Sequence, residues 1–453
     1  MISYRIRLIT LASVVFMSRL PFLGAGYGLH DDAWRVANAA KEIALTGNYV
    51  MSRPPGHPLQ EYIYSLIWQY GPYALNGLTA VLSVAAVVIF ALILKSVDCK
   101  RYFEAGIAFA FVPVIFINST NSLDFIWALM FLLVSMWFLL IHRTTLAAVM
   151  FALAIGCRIT SILMLIPFVY MLIKLRRRQK IVPEIIKFLI IILFLGSLMY
   201  IQPYMKEGVA FLDVYTNYPS LYHSFREASL GVWGTLGLLA ILIGIVSMMF
   251  GVGRIKILLN EPSMCVSRVV IMSSIVAIVI YTLLYLKLPN KAEYLIPAIP
   301  FVLILFSILL TRKVFILVCL LMVMSPFVLS YDKKQVQPYG MIFDNHFKRI
   351  EQIQFVDRLF EAVDNLPEEK IVVVSGWFLP QIRAILSAKT VQEKTKDVIY
   401  IYLLDESQLR KFISEGYQIY YIHVDREFTI QKHNLEVYGV DLVSAGCKSL
   451  VID

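Results

Sequence analysis

Charge is scarce in this 453-residue chain: Asp, Glu, Lys and Arg together make up 16% of it, against about 25% in an ordinary soluble domain. Cysteine is also thin. Five residues (Cys99, Cys157, Cys265, Cys319 and Cys447) form an odd, scattered set without a C-x-x-C pair, which excludes a disulfide framework or a cysteine-based zinc site. The chain lacks a G-x-G-x-x-G run and a Walker loop, so nucleotide binding has no support. It also lacks internal repeats and low-complexity tracts. What it has is apolar side chains, 59% of the total, where a globular protein carries about 45–50%. An ordinary cytosolic enzyme, a disordered tail and a secreted disulfide scaffold are therefore excluded, and a polytopic membrane protein is indicated. The formal net charge of +10 would suggest nucleic acid in a soluble protein; here its distribution decides its meaning.

Apolar runs of membrane length fall near 6–24, 72–95, 104–118, 123–141, 145–157, 159–174, 184–202, 229–250, 267–286, 293–310 and 313–330, eleven spans in all. The fifth and sixth also read as one segment broken around Gly156, Cys157 and Arg158. The first holds Arg19 and Pro21 and lacks a small-x-small cleavage site, so it reads as an uncleaved helix rather than a signal peptide. With the N-terminus in the cytoplasm, the loops on that side carry 17 basic and four acidic residues, while the other side, up to residue 330, carries nine of each. This is the positive-inside bias. It places the chain in a cell (plasma or inner) membrane, with the N-terminus cytoplasmic, the C-terminus extracytoplasmic, and the net charge an orientation signal.

Residues 331–453 hold 15 basic and 18 acidic side chains and no membrane-length run. Strands are expected at 370–375, 398–404 and 417–424, with helices near 343–365, 378–388 and 405–415. Strand–helix alternation predicts a small α/β domain with a partly parallel sheet. The expected fold is thus mainly α, a polytopic membrane domain over 1–330 followed by an extracytoplasmic α/β domain over 331–453. The first external loop covers 25–71 and the second 203–228.

Polar residues at membrane depth or its rim are costly and tend to be functional, and here they gather on one side. The first loop carries His30-Asp31-Asp32-Ala33-Trp34-Arg35, then Thr46-Gly47-Asn48-Tyr49, then Arg53-Pro54-Pro55-Gly56-His57-Pro58. Asp124 opens the fourth span, Arg158 ends the fifth, and Lys287, Asn290, Lys291, Glu293 and Tyr294 lie between the ninth and tenth. An aspartate can take a proton from a hydroxyl nucleophile, and Arg and Lys can stabilise charge building on a departing phosphate. On a side without nucleotides, a phosphate leaving group is most naturally a polyprenyl phosphate. Each residue also has a plainer reading. Asp31 and Asp32 read as solvated or as helix caps, Asp124 as a cap of its helix, and Arg158 and Lys291 as interfacial side chains reaching for headgroups. Arg19 reads as the partner of a loop carboxylate or of a lipid.

These motifs resemble those of the GT-C membrane glycosyltransferases, and within them the branch of protein O-mannosyltransferases and lipid A aminoarabinose transferases. The likeness rests on Ser18-Arg19-Leu20-Pro21-Phe22, the Asp31-Asp32 pair where the family has Asp-Glu, Arg35, Ala37 and Ala40, the Gly47–Tyr49 step and the Pro54-Pro55 segment. Asp124, Gly156-x-Arg158 with Pro167, and Lys291-x-Glu293-Tyr294-Leu295-x-Pro297 extend it. It covers roughly residues 10–330. The resemblance implies an active site facing out of the cytoplasm and an inverting transfer from a polyprenyl-phosphate sugar to a lipid, glycan or protein acceptor. Asp31 then becomes the general base, with Asp32 and Asp124 placing acceptor, water or a divalent metal. Arg158, Lys287, Lys291, Arg53 and His57 hold the donor phosphate, and Arg35, Glu293 and Tyr294 position substrate. The family varies in metal use and in sugar, hexose or pentose. The 331–453 domain serves equally well as an acceptor dock or as a stabilising cap. A lipid or sugar transporter would instead place its polar residues near the midplane, with repeats or broken helices in matching positions. A non-catalytic partner would keep the fold with a degenerate site.

Overall fold

The computed structural model of the chain describes residues 2–176, 181–209, 219–253, 255, 264–289, 291–332, 335–388, 396–423 and 447–452. Residues 210–218 of the second external loop, and Asn290, lie outside the described residues. Two compact units partition the chain. The first takes Met1–Tyr27 and Ala39–His346; the second takes Gly28–Asn38 and Phe347–Asp453.

The first unit is helical because its segments are long, apolar and interrupted by few helix breakers. Among the described residues five helices are long and apolar enough to cross a membrane: Trp68–Ser96, Ile181–Glu207, Leu221–Phe250, Cys265–Lys287 and Ala292–Leu309. Shorter apolar helices cover Phe125–Leu140, Thr144–Cys157 and Ile159–Leu175. The first two of these form a hairpin tied by Ser135 Oγ donating to the Ala147 carbonyl at 2.7 Å. The chain is a multi-pass membrane protein.

The expected spans differ from the helices where polar or imino residues intervene. The run 104–118 is two helices, Tyr102–Ala110 and Pro113–Asn118. Pro113 has no N–H to give to a continuing helix and drives the residue before it out of the helical region; Val112 is accordingly extended. The break expected around Gly156, Cys157 and Arg158 is present at Arg158, whose backbone is extended at φ −157°, ψ 113°. A further break falls at Gly234, at φ +65° inside Val232–Phe250. Among the described residues Arg19 has no carboxylate partner. It is fully buried, donating to Ser119 Oγ at 3.0 Å, to Ser18 Oγ at 2.8 Å and to the Ala110 carbonyl. Its guanidinium lies 3.9 Å from the centre of the Phe116 ring. A cation here closes the carbonyl end of the Tyr102–Ala110 helix, where positive charge is favoured.

The second unit is built on a parallel sheet of β3 (Lys370–Val374), β4 (Asp397–Ile401), β5 (Gln418–His423) and β6 (Lys448–Val451), in the order β4-β3-β5-β6. A separate antiparallel pair, β1 (Ser330–Asp332) and β2 (Gln335–Gln337), belongs to the first unit. The register sets Lys370 against Asp397, Ile371 against Gln418 and Tyr420 against Lys448. The sheet is wholly parallel, and the reason is visible in β3, a valine-rich run buried on both faces; such runs belong to sheets covered by helices on each side. Ile371 and Val373 pack with Val356, Leu359, Val363 and Ile382 on one face, while Val372 and Val374 pack with Leu404 and Leu409 on the other. The connecting helices are Leu379–Ala388 and Glu406–Ser414, the latter opened by an Asp405–Gln408 capping box. Strand β6 had no sequence signal of its own: it is four residues long, and at its start Lys448 pairs with Glu368 at 2.8 Å, as edge strands commonly carry charge.

Candidate active site

The first unit concentrates its buried charge at one point. Asp124 precedes the helix Phe125–Leu140, yet its side chain makes no capping bond. It is fully buried and accepts from two arginines: Arg53 reaches Oδ1 at 2.6 Å and Arg158 reaches Oδ2 at 2.6 Å, with side chains 16% and 11% exposed. Ionised groups buried this deeply persist only when paired and hydrogen-bonded. Arg158 is aimed by the extended residue that breaks its helix, and its guanidinium stacks 4.0 Å from the Phe125 ring centre and 5.0 Å from that of Tyr294. Phe125 and Tyr294 meet edge to face. Tyr294 is therefore tied to the guanidinium, whereas Lys287 ends its helix exposed, Lys291 is half-buried and Glu293 is buried.

Arg53 and His57 arrive on the short loop before the helix Pro58–Ser65. Glu61, in the first turn of that helix, organises it. The carboxylate accepts from Tyr49 Oη at 2.6 Å, from the Ser52 N–H at 2.9 Å and from the His57 N–H at 3.1 Å. His57 Nδ1 lies 2.8 Å from the Cys157 carbonyl oxygen and 3.4 Å from Asp124 Oδ2. Burial holds the His57 imidazole below its ordinary pKa, against the pull of Asp124 and with Arg53 and Arg158 adding to the depression. Tyr49 belongs to the Gly47–Tyr49 step read from the sequence, but Glu61 did not stand out there. The available signal was positional: an acid in the first turn of a helix, four residues after His57, where negative charge is favoured.

The loop also depends on Gly56, at φ +85°, a region where a side chain is strained. A Cβ there would come within 2.6 Å of Tyr49 Oη. Gly56→Ala is expected to destabilise the first unit by about 1–3 kcal/mol, read as a lower thermal midpoint in detergent. Adding Tyr49→Phe should recover part of that loss, because the clashing oxygen is gone.

Over its whole length the chain superimposes on ArnT from Cupriavidus metallidurans, in a structure bound to undecaprenyl phosphate, with a TM-score of 0.56 at 10% identity, covering 99% of this chain and 90% of that one. The fold is of the GT-C type. Two structures of the Archaeoglobus fulgidus oligosaccharyltransferase are also similar. One, in complex with zinc and sulfate, gives a TM-score of 0.46 at 11% identity over 87% of this chain and 62% of that one. The other, tethered to an acceptor peptide with an NVT sequon, gives 0.48 at 11% over 87% and 63%. No family model and no curated protein sequence matches the chain.

The other sequence-selected residues, Asp31, Asp32 and Arg35, belong to the second unit. Asp31 and Asp32 begin the helix Asp31–Thr46, and Asp31 pairs with Arg35 one turn on, at 2.9 Å. Asp32 is half-buried. The segment is anchored by Trp34 Nε1 donating to the Gly28 carbonyl, by Asn38 donating to the Pro380 carbonyl at 2.9 Å and by Gln352 donating to the Leu29 carbonyl at 3.0 Å. The carboxyl ends of β3 and β4 lead into Trp377 and Tyr402, whose ring centres each lie 5.9 Å from the Arg35 guanidinium. Among the described residues no group of three or more His, Cys, Asp or Glu side chains converges to hold a metal. Asp124 accepts from two guanidiniums, while Asp31 and Asp32 belong to the second unit.

Proposed function

We propose that the chain is a membrane glycosyltransferase that moves a sugar, hexose or pentose, from a polyprenyl-phosphate carrier to an acceptor hydroxyl on the extracytoplasmic face. The observation that carries this reading is the pair of buried guanidiniums on Asp124, set in a fold that ArnT shares. Carboxylate and phosphate offer arginine the same fork of acceptor oxygens, so the side chains that grip Asp124 are shaped to grip a phosphate. In the reaction, Asp31 takes the proton of the acceptor hydroxyl as its oxygen bonds to the anomeric carbon. The bond from that carbon to the phosphate oxygen breaks on the opposite face, inverting the centre. The electron pair leaves with the phosphate, whose growing charge Arg53 and Arg158 stabilise, with Lys287 and Lys291 adding positive charge. Asp32 and Arg35 orient the acceptor side. Tyr294, stacked on Arg158, and Glu293 position the donor.

The test is the affinity of the full-length chain for undecaprenyl phosphate. Arg158→Ala and Arg53→Ala should each weaken it about tenfold to a hundredfold, the range for a hydrogen bond to a charged group. Arg158→Lys should recover little, because an ammonium cannot form the two-pronged contact. Unchanged affinity in both alanine variants would refute the phosphate reading.

A further inference from the structure

His57 sits among the phosphate-holding arginines, but its own chemistry points elsewhere. Its Nδ1 meets two oxygens, the Cys157 carbonyl at 2.8 Å and Asp124 Oδ2 at 3.4 Å. Both are acceptors, the second a carboxylate held by two guanidiniums, so Nδ1 carries a proton. In the neutral ring the lone pair then lies on Nε2. That atom is buried and meets no hydrogen-bond partner among the described residues. An acceptor kept bare in the interior costs free energy and asks for a donor. An ionised phosphate diester has no proton to give, and its oxygens would face the Nε2 lone pair with lone pairs of their own. A hydroxyl can donate.

The ring lies beside the proposed phosphate clamp. Cys157, whose carbonyl orients Nδ1, is the residue before Arg158, and the His57 N–H is fixed on Glu61 at 3.1 Å. Imidazole and guanidinium are thus held by consecutive peptide units. In a polyprenyl phosphoryl sugar the ring is bonded directly to the phosphate, so a ring hydroxyl comes close to whatever flanks the phosphate contacts. The exposures rank the contacts: Arg53 and Arg158 at 16% and 11%, His57 at 3%. Resting on the reading of the two arginines as a phosphate clamp, we propose that His57 Nε2 accepts a hydrogen bond from a hydroxyl of the donor sugar, making His57 a sugar-recognition residue rather than a phosphate ligand.

The test compares undecaprenyl phosphate with a panel of undecaprenyl phosphoryl hexoses and pentoses, each titrated against the full-length chain in nanodiscs. In the wild type at least one member should bind about tenfold more tightly than undecaprenyl phosphate, the increment of one well-made hydrogen bond. In His57→Asn the amide nitrogen can stand in for Nδ1, leaving nothing at Nε2; this variant should lose that increment and keep its affinity for undecaprenyl phosphate. In His57→Gln the amide oxygen can stand in for Nε2, and most of the increment should remain. The proposal is overturned if His57→Asn keeps the increment, if it loses undecaprenyl phosphate affinity in parallel, or if no sugar adds affinity in the wild type. Arg53→Ala and Arg158→Ala variants that bind undecaprenyl phosphate normally would instead sink the clamp on which it rests, so the two failures are distinguishable.

Discussion

Asp124→Ala is expected to cost the first unit about 3–5 kcal/mol, the penalty for leaving buried charge without its partner. The reason lies in the arithmetic of the cluster. Two guanidiniums converge on one fully buried carboxylate, and removing it leaves two cations facing each other in a low-dielectric interior. The measurement is the thermal or denaturant midpoint of the purified chain in detergent, where the shift should exceed that of Gly56→Ala. Asp124→Asn should fall between, since the amide keeps one acceptor oxygen and no charge. A sharper version removes all three charges at once. Arg53→Met, Asp124→Leu and Arg158→Met together should regain most of the stability, because buried ion clusters are commonly no better than apolar side chains of similar volume. The same triple variant should bind undecaprenyl phosphate no better than Arg158→Ala. Stability restored and binding lost would show that the cluster is retained for its ligand and not for the fold. Binding kept by the triple variant would refute that.

The second large effect concerns the acceptor side. Asp31→Asn should lower transfer by about a hundredfold to ten-thousandfold, the range supplied by a positioned general base, while leaving undecaprenyl phosphate affinity unchanged. The substitution is nearly isosteric, and the amide oxygen can still accept from Arg35 Nε, which now lies 2.9 Å from the carboxylate. A loss of turnover without a loss of donor binding marks an interaction made only during reaction. Because the sugar need not be known in advance, the readout is the mass-spectrometric profile of polyprenyl-phosphate sugars in cells carrying only the variant. The donor should accumulate as it does in a deletion. A profile like that of the wild type would remove Asp31 from the chemistry.

The elements of the second unit were legible because short valine-rich strands and amphipathic helices alternate with clear turn signals. The expected strand at 370–375 is β3 at Lys370–Val374, and the expected helix at 405–415 is Glu406–Ser414. The break at Arg158 was legible as a charge between two apolar runs, but the one at Pro113 was not, since a hydropathy window averages over a single proline and reports one apolar run where the backbone turns. At the candidate site, Asp124 and Arg158 announced themselves as charges in apolar surroundings. Their direct pairing, 34 residues apart, carries no local signature. Neither does the enclosure of Glu61 by three donors from a loop. The assignment of Gly28–Asn38 to the same unit as Phe347–Asp453 was beyond reach of local pattern altogether.

That assignment has a bearing on how the chain is made. Asn38 is bonded to a carbonyl 342 positions later. At a synthesis rate of about 5–20 residues per second, roughly 17–70 seconds separate the appearance of the two partners. The first membrane helices are made long before the segment bearing Asp31 has anything to fold against. Contacts this distant in sequence also close slowly. The segment with the proposed base is consequently among the first parts translated and among the last to take its native form. A chain that stalls or is cut after the membrane helices would therefore hold Asp31 without its supports.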